Sequence, residues 1–292
     1  MEQYEKYLKN LPVIPDIAAK ILSIPEDAKN ISFKELEELI KIDPGLTTKI
    51  LKVANSALYA RQREITTLQM AITLLGFKNI KSLVILTTAS NAFAGQSKTP
   101  FYKDFWKHSV LTAFLAKEIA RRDLKKLSPD EAFLAGLLHD IGQVAMFHVE
   151  PEEYQELLKA REQTGAQTKF LEQERFGTNH KQIGASVLAK WSFPDIFVDT
   201  AKEHGMINIT SEHRTLIICI SLADIIADMI SHEELPERKQ KLLDEYKKLS
   251  GIPEERLVYY TSQFVEKVSE DPLFKECQNL FHFTYQPESK TA

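Results

Sequence analysis

Hydrophobic residues recur along this chain at the three- and four-residue spacing that places them on one face of an α-helix. No segment combines strict alternation with a tight-turn signal, as a β-hairpin requires. The spacing predicts helices over residues 13–24, 32–41, 44–57, 66–75, 78–93, 102–122, 129–148, 151–164, 168–175, 179–191, 194–203, 213–231, 236–249 and 253–268. We therefore expect an all-α fold.

The residues at the ends of these helices support the prediction. Asp43 and Ser128 each precede a proline. Each pair therefore provides an N-cap side chain followed by proline at the first helical position. Glycines often end helices, and the candidates here are Gly76, Gly95 and Gly142.

A polar stretch at residues 95–100 divides the chain into two lobes. We expect an N-terminal helical lobe at residues 1–100 and a second helical lobe at residues 101–235, which carries most of the histidines. Residues 236–292 are richer in charge and predict a C-terminal helical extension that ends in a frayed tail.

The composition narrows the function classes. The chain has 292 residues, of which 43% are hydrophobic and 27% are charged, so it can form a sizeable core and does not resemble a disordered chain. A formal net charge of -4 gives no global basic excess to attract nucleic acid or anionic lipid. Cys219 and Cys277 are too few for a disulfide framework or a cysteine zinc site. Without a signal-peptide pattern or a membrane-length apolar run, we expect a cytoplasmic protein.

The strongest chemical signal is an adjacent His139 and Asp140 at the end of an apolar helix, between Gly136 and Gly142. Burying an imidazole and a carboxylate together costs free energy unless both are satisfied, and a metal ion would satisfy both. A buried network of histidine–carboxylate hydrogen bonds without metal is the alternative that the sequence leaves open.

Other histidines and aspartates fall where they could join this pair. Asp104 and His108 lie one helical turn apart, His180 opens a predicted helix, His204 closes another, and Asp224 lies in a helix that is apolar nearly all round. The candidate metal ligands are Asp104, His108, His139, Asp140, His180, His204 and Asp224.

Mixed histidine and carboxylate ligands suit one or two divalent transition-metal ions, namely Fe, Mn, Ni or Zn. A two-metal site of this kind has the chemistry for phosphate-ester hydrolysis, with His139 and Asp140 as the catalytic candidates.

Several separate motifs, in the right order, resemble HDOD domains. In the first lobe the matching segments are 11–15, 42–47, 51–59 and 71–76. In the second lobe they are 105–109, 136–142, 176–180, 191–194 and 203–204. The resemblance extends over residues 11–206, about two-thirds of the chain.

The resemblance implies a two-lobed helical bundle whose second lobe is similar to the HD-domain metal-dependent phosphohydrolases. HDOD domains act mostly as output modules of bacterial signal transduction, and many have lost metal ligands. Their relatives, the HD-GYP domains, hydrolyse cyclic di-GMP at a two- or three-metal site, and the candidate ligands fall at matching positions. Three departures count against activity: Gln143 replaces a phosphate-contacting lysine, Gly205 replaces the second histidine of a pair, and no Gly-Tyr-Pro motif occurs.

Two functions follow as expectations. The first is a signalling output module that binds a metal in its second lobe and acts through protein partners. The second is a metal-dependent phosphohydrolase that takes a nucleotide or a cyclic dinucleotide. Neither needs nucleic acid or a membrane, and the sequence does not decide whether the chain is an enzyme.

Overall fold

The computed structural model describes residues 2–9, 20–21, 33–55, 65–92, 99–231 and 236–285. All regular secondary structure in these ranges is helical, which confirms the predicted all-α fold. The segment predicted as the first lobe contains α1 (Glu2–Lys9), α2 (Phe33–Lys41), α3 (Pro44–Ala54) and α4 (Leu68–Ala92), and α1 packs against helices of the following segment. The second lobe contains α5 (Pro100–Arg122), α6 (Pro129–Leu138), α7 (Ile141–Val149), α8 (Pro151–Thr164), α9 (Thr168–Phe176), α10 (His180–Lys190), α11 (Asp195–Glu203) and α12 (Arg214–Ser231). The remaining helices are α13 (Glu237–Ser250), α14 (Glu254–Thr261), α15 (Gln263–Ser269) and α16 (Pro272–Phe281).

Most helix ends follow the sequence signals. Two helices that we predicted as continuous are broken in the structure: 129–148 between α6 and α7, and 253–268 between α14 and α15. Asp43 and Ser128 cap α3 and α6 through their side chains, and Gly76 breaks α4 with a φ of 78°. We predicted that Gly142 ends a helix, but it lies in the first turn of α7. The helix α16 was not predicted, although Asp271 caps it by accepting from two backbone N–H groups. The predicted helix at 13–24 and the predicted linker lie largely outside the described residues.

The core of the second lobe lies where α5, α6 and α12 meet. Trp106 and Phe133 are fully buried there, and Phe114 packs edge-on against Phe133 with 5.2 Å between ring centroids. The stretch Pro129–Val149 has the length and hydropathy of a membrane span, but 78% of its apolar window is buried inside the bundle. Its apolar side chains therefore form core contacts, as in the central helices of soluble proteins.

The C-terminal helices pack back onto both lobes. Phe281 of α16 stacks on Trp106 of α5 with 4.0 Å between centroids and an interplanar angle of 13°. The same helix contacts α3 and α4 of the first lobe. The predicted C-terminal extension therefore includes a helix that bridges the lobes.

Candidate metal centre

The His139–Asp140 pair lies in the break between α6 and α7, and two glycines bring neighbouring helices close to it. A Cβ atom at Gly136 would lie 2.8 Å from Cα of Ala113 on α5. A Cβ atom at Gly142 would lie 1.9 Å from the carbonyl oxygen of His180 on α10. Only glycine permits these two approaches, and together they bring residues of α5 and α10 next to the pair.

Three histidine rings, those of His139, His180 and His204, surround the carboxylate of Asp140. Nε2 of His204, which follows α11, lies 3.1 Å from Oδ1 of Asp140. Nε2 of His180, at the start of α10, lies 3.5 Å from the same oxygen, and Nε2 of His139 lies 3.6 Å from Oδ2. The carboxylate of Asp140 makes no helix-capping hydrogen bond within the described residues, and its Oδ1 faces the rings of His180 and His204.

The other ring nitrogen of each of these histidines is held by an acceptor. Nδ1 of His139 donates to the carbonyl of Gly136 at 2.7 Å, and Nδ1 of His204 donates to that of Thr200 at 3.1 Å. Nδ1 of His180 donates to Glu172 at 2.6 Å. Such bonds fix the tautomer and leave the Nε2 lone pair facing inward, which is the usual arrangement behind metal-bound histidines.

Glu172 of α9 was not predicted as part of the site. Its carboxylate is completely buried, accepts from the backbone N–H of His180 at 2.9 Å, and accepts from the hydroxyl of Tyr154 at 2.5 Å. Nothing in the sequence of this charged helix indicates that Glu172 is buried. Its contact with His180 depends on how α9 packs beside α10, which local sequence does not encode.

A second set of ligand-type residues lies on the α5 and α12 side. Nε2 of His108 lies 3.1 Å from Oδ1 of Asp224, and Nε2 of His139 lies 4.0 Å from the same oxygen. Asp228, one turn after Asp224, lies 3.8 Å from Nδ1 of His108 and pairs with the ammonium of Lys239 on α13.

Six of the predicted ligands therefore converge, and one does not. Among the described residues, two groups offer ligand atoms within 4.8 Å of one another: His108, His139 and Asp224, and His139, Asp140 and His204. His180 adjoins the second group through Asp140. Asp104 is exposed and belongs to neither group, although it shares a helix with His108. Spacing of four residues places two side chains on one face but does not say how far that face turns towards the core.

The contact between His204 and Asp140 lacks a proton when His204 is neutral. With Nδ1 donating elsewhere, neutral His204 directs a lone pair at a carboxylate oxygen of Asp140 only 3.1 Å away. Nε2 of His139 and Oδ1 of Asp140 are both buried, with no hydrogen-bond partner in the part of the chain that the structure describes. Facing acceptors of this kind repel unless a cation lies between them, so the residues present fit a divalent metal.

The protonation states also favour a metal. Burial raises the pKa of Asp140, but the three surrounding histidines reverse this and hold the pKa well below its usual value. Burial, with the nearby Lys181, lowers the pKa of His204 to about 4. Burial lowers the pKa of His180, yet Glu172 and Asp140 raise it above the usual value overall. An ionised carboxylate beside a neutral imidazole is the state in which both groups bind metals.

Gln143 stands where the resemblance leads one to look for a phosphate-contacting lysine. Its amide nitrogen donates to Oδ2 of Asp140 at 2.5 Å, so the side chain turns back to the centre. The position therefore supplies a neutral amide that orients Asp140, and it supplies no positive charge for an incoming phosphate.

Solved structures of low sequence identity share this fold. An HDOD domain protein of unknown function from Geobacter sulfurreducens aligns with a TM-score of 0.76 and 20% identity, covering 96% of this chain and 97% of that one. A Shewanella amazonensis protein, provisionally named a phosphohydrolase, aligns with a TM-score of 0.72 and 22% identity, covering 96% and 98%. A Marinobacter aquaeolei protein, provisionally named a signal transduction protein, aligns with a TM-score of 0.76 and 19% identity, covering 96% and 64%.

A curated relative, an uncharacterised protein of Treponema pallidum, is 22% identical over 223 residues. The alignment covers 75% of this chain but 43% of the relative, so the chain spans less than half the length of that protein. The model of the HDOD domain family matches residues 11–207. This match takes in both lobes, the His139–Asp140 break and the histidines of α10 and α11. By this match over most of its length, the chain belongs to the HDOD domain family.

Proposed function

We propose that this chain is a cytoplasmic signal-transduction output module of the HDOD type, which holds a divalent transition metal in its second lobe and acts through protein partners. One or two ions of Fe, Mn, Ni or Zn suit the ligand set. The main support is the 3.1 Å approach of Nε2 of His204 to Oδ1 of Asp140. Beside them lies Nε2 of buried His139, which has no hydrogen-bond partner among the described residues.

Bound there, such an ion would cross-link the helices and act as a Lewis acid. The protein's own residues prepare the place. His139, His180 and His204 each present Nε2 with Nδ1 already fixed, and Asp140 presents a carboxylate kept ionised by its neighbours. Helix α4 packs on α6 and helix α16 packs on α5, the helix that carries His108, and we propose that a partner binds the helical surface formed there.

Two features favour binding over turnover. Gln143 is neutral and occupied with Asp140, so no side chain at that position can hold a phosphate. His139, His180 and His204 are at most 6% exposed, so the centre gives a bulky phosphodiester little access. The name of the Marinobacter structure points to the same role for a protein of this fold.

The test is elemental analysis of the full chain purified without added metal and without a polyhistidine tag. We expect at least about one transition-metal ion per chain, and a chelator should lower the melting temperature because structural metal contributes folding free energy. His139→Ala should lose the metal, since His139 belongs to both ligand groups. The matched control is His282→Asn: His282 is exposed with a φ of 56°, a conformation that asparagine tolerates.

A metal-free wild-type protein whose melting temperature is unchanged by chelator would contradict the metal centre. Equal metal content in His139→Ala and His282→Asn would contradict its location. For the signalling role, we expect the metal-loaded protein to leave cyclic di-GMP and a chromogenic phosphodiester intact.

The second candidate is a metal-dependent phosphohydrolase, and one observation favours it. The two ligand groups adjoin at His139 and each has its own carboxylate, Asp224 in one and Asp140 in the other, so two ions could lie on either side of His139. Turnover of either phosphodiester with Mn or Fe, abolished in His139→Ala, would establish this function. Gln143→Lys should then raise the activity by placing a cation next to Asp140.

A further inference from the structure

A cavity of about 580 Å³ lies beside the metal centre, between the segment after His204 and helix α13. Its walls include Lys169 of α9, Gly205, Met206 and Ile207 after α11, and Arg238 and Leu242 of α13. Cavities of this size hold small ligands. None of these residues belongs to the two ligand groups, and α13 lies beyond the segment matched by the family model.

Two cations in this wall lack a carboxylate partner. In the ion pairs formed by the described residues, neither Lys169 nor Arg238 meets an aspartate or glutamate. Other lining lysines differ, because Lys241 pairs with Glu237 at 2.7 Å and Lys248 pairs with Glu245 at 2.9 Å. Burial, together with Arg238, lowers the pKa of Lys169. Asp244 and Glu245 also line the cavity, but Glu245 pairs with Lys248 at 2.9 Å and Asp244 lies 3.8 Å from the ammonium of Lys247. Lys169 and Arg238 therefore remain available to an anion.

A third cation lies next to the same cavity wall. The ammonium of Lys181 donates to the backbone carbonyl of His204 and lies 3.3 Å from where a Cβ of Gly205 would be. Within the described part of the chain it forms no ion pair with a carboxylate. The positive charge therefore extends from the cavity towards the metal centre.

The cavity also has an apolar side. Met206 and Ile207 in its wall are 38% and 43% exposed, and Phe170, next to Lys169, is 57% exposed. The Phe170 ring lies under both cations, 5.1 Å from Nζ of Lys169 and 5.9 Å from the guanidinium carbon of Arg238. An exposed aromatic ring within 6 Å of two cations offers a planar ligand a stacking surface.

We infer that this cavity binds a phosphorylated ligand with a planar ring, of the nucleotide class. Its phosphate contacts Lys169 and Arg238, and its ring packs on Phe170, Met206 and Ile207. A phosphate alone would leave the exposed apolar residues uncovered, and an uncharged ring would leave the two cations unpaired. The inference goes beyond the proposed function, because the binding residues are not metal ligands and the site does not need the metal.

The experiment is calorimetric titration of the chelator-treated full chain, at low ionic strength, with AMP, GMP, adenosine and inorganic pyrophosphate. We expect AMP or GMP to bind more tightly than pyrophosphate, and adenosine not to bind detectably. Lys169→Gln/Arg238→Gln should weaken nucleotide binding at least about tenfold, because each charge-assisted bond contributes that order of affinity. The matched control, Lys159→Gln/Lys275→Gln, removes two exposed lysines that pair with surface glutamates and do not line the cavity.

Each alternative outcome overturns the inference. The inference is wrong if neither nucleotide binds the wild-type chain, or if adenosine binds as tightly as AMP. It is also wrong if the control variant weakens nucleotide binding as much as Lys169→Gln/Arg238→Gln does. Melting curves check the fold of the double variant, which should be at least as stable as the wild type because a repulsion is removed. A wild-type melting temperature raised by AMP is an independent readout. If the metal proposal fails, these results still stand, because the chain is titrated after chelator treatment and without added metal.

Discussion

The two halves of the candidate metal centre differ in how firmly they are held. On the inner half, His139, His180 and His204 are at most 6% exposed, and each has its Nδ1 bound to a fixed acceptor. On the outer half, the side chains of His108 and Asp224 are 23% and 19% exposed and chiefly contact each other. The inner half is therefore organised before any ion arrives, whereas the outer half can adjust.

The position of α13 sharpens this difference. Lys239 from this helix pairs with Asp228 on the outer half, while the inner half is surrounded by α7, α10 and α11. We infer that the inner half sets metal affinity and that the outer half governs exchange and access. The predictions below test this division, from the largest expected effect to the smallest.

Gly142→Ala should be the most damaging change, because its Cβ would lie 1.9 Å from the carbonyl oxygen of His180. Helices α7 and α10 must separate, which moves Asp140 and His180 together. We expect a loss of about 3 kcal/mol or more in the free energy of unfolding, measured by urea denaturation, together with loss of bound metal.

The control is Gly251→Ala, where open space surrounds the new Cβ and only a φ of 70° is strained. That change should cost about 1 kcal/mol and leave metal content unchanged. Equal effects of the two substitutions would show that the α7–α10 contact does not hold the inner half in place.

Glu172→Gln tests the support behind the inner half. The substitution keeps an acceptor for Nδ1 of His180 but removes the buried charge. We expect metal affinity, measured by competition with a chelating dye, to fall about 10- to 100-fold, as for other partners of metal-bound histidines. Glu153→Gln is the control, since Glu153 pairs with Arg175 at the surface. Unchanged affinity in Glu172→Gln would refute the assigned role of Glu172.

Acidification should destabilise the metal-free protein through His204. Its pKa is about 4 in the folded chain and about 6.5 when unfolded, so between these values the unfolded chain binds a proton that the folded chain does not. Stability should therefore fall as the pH drops from 7 to 5, by about 2 kcal/mol from His204 alone, in chelator-treated protein. The raised pKa of His180 acts in the opposite sense and moderates the loss.

Denaturant midpoints at several pH values measure this effect. His204→Gln should flatten the dependence over that range, since glutamine does not titrate. A slope unchanged in His204→Gln would show that other groups cause the acid sensitivity.

Lys239→Gln should have the smallest effect, because Lys239 is half-exposed and belongs to the outer half. We expect less than about 1 kcal/mol change in stability. Metal affinity should rise by a few fold as Asp228 loses its competing cation, and exchange measured with a chelator should become faster. A large fall in affinity would mean that the outer half also needs a fixed partner.

The sequence predicted most of the fold because its signals are local. Helical spacing, the Asp43 and Ser128 caps and the break at Gly76 each depend on neighbouring residues, and all three are found in the structure. Gly142 was misread because its role is a contact with α10, which is distant in sequence. Helix α16 was missed although its capping aspartate and proline are visible.

The candidate site was predictable only in part, for a related reason. His139 and Asp140 stand out because they are adjacent at the end of an apolar helix. The helix positions of His108, His180, His204 and Asp224 made them candidates, and the resemblance matched the same positions. Their convergence depends on packing between helices, as does the position of Glu172 behind His180. The exposure of Asp104 shows the limit of spacing as evidence.

The stack of Phe281 on Trp106 bears on how this protein can be shortened. The family match ends at residue 207, before α16 begins. Trp106 belongs to the helix that carries His108, and without α16 the face of its ring that stacks on Phe281 would be open to water. A fragment cut at the family boundary would also lack both aspartates of α12. Such a fragment should aggregate or melt early, so domain-swapping and fusion designs based on this chain need to retain residues through the end of α16.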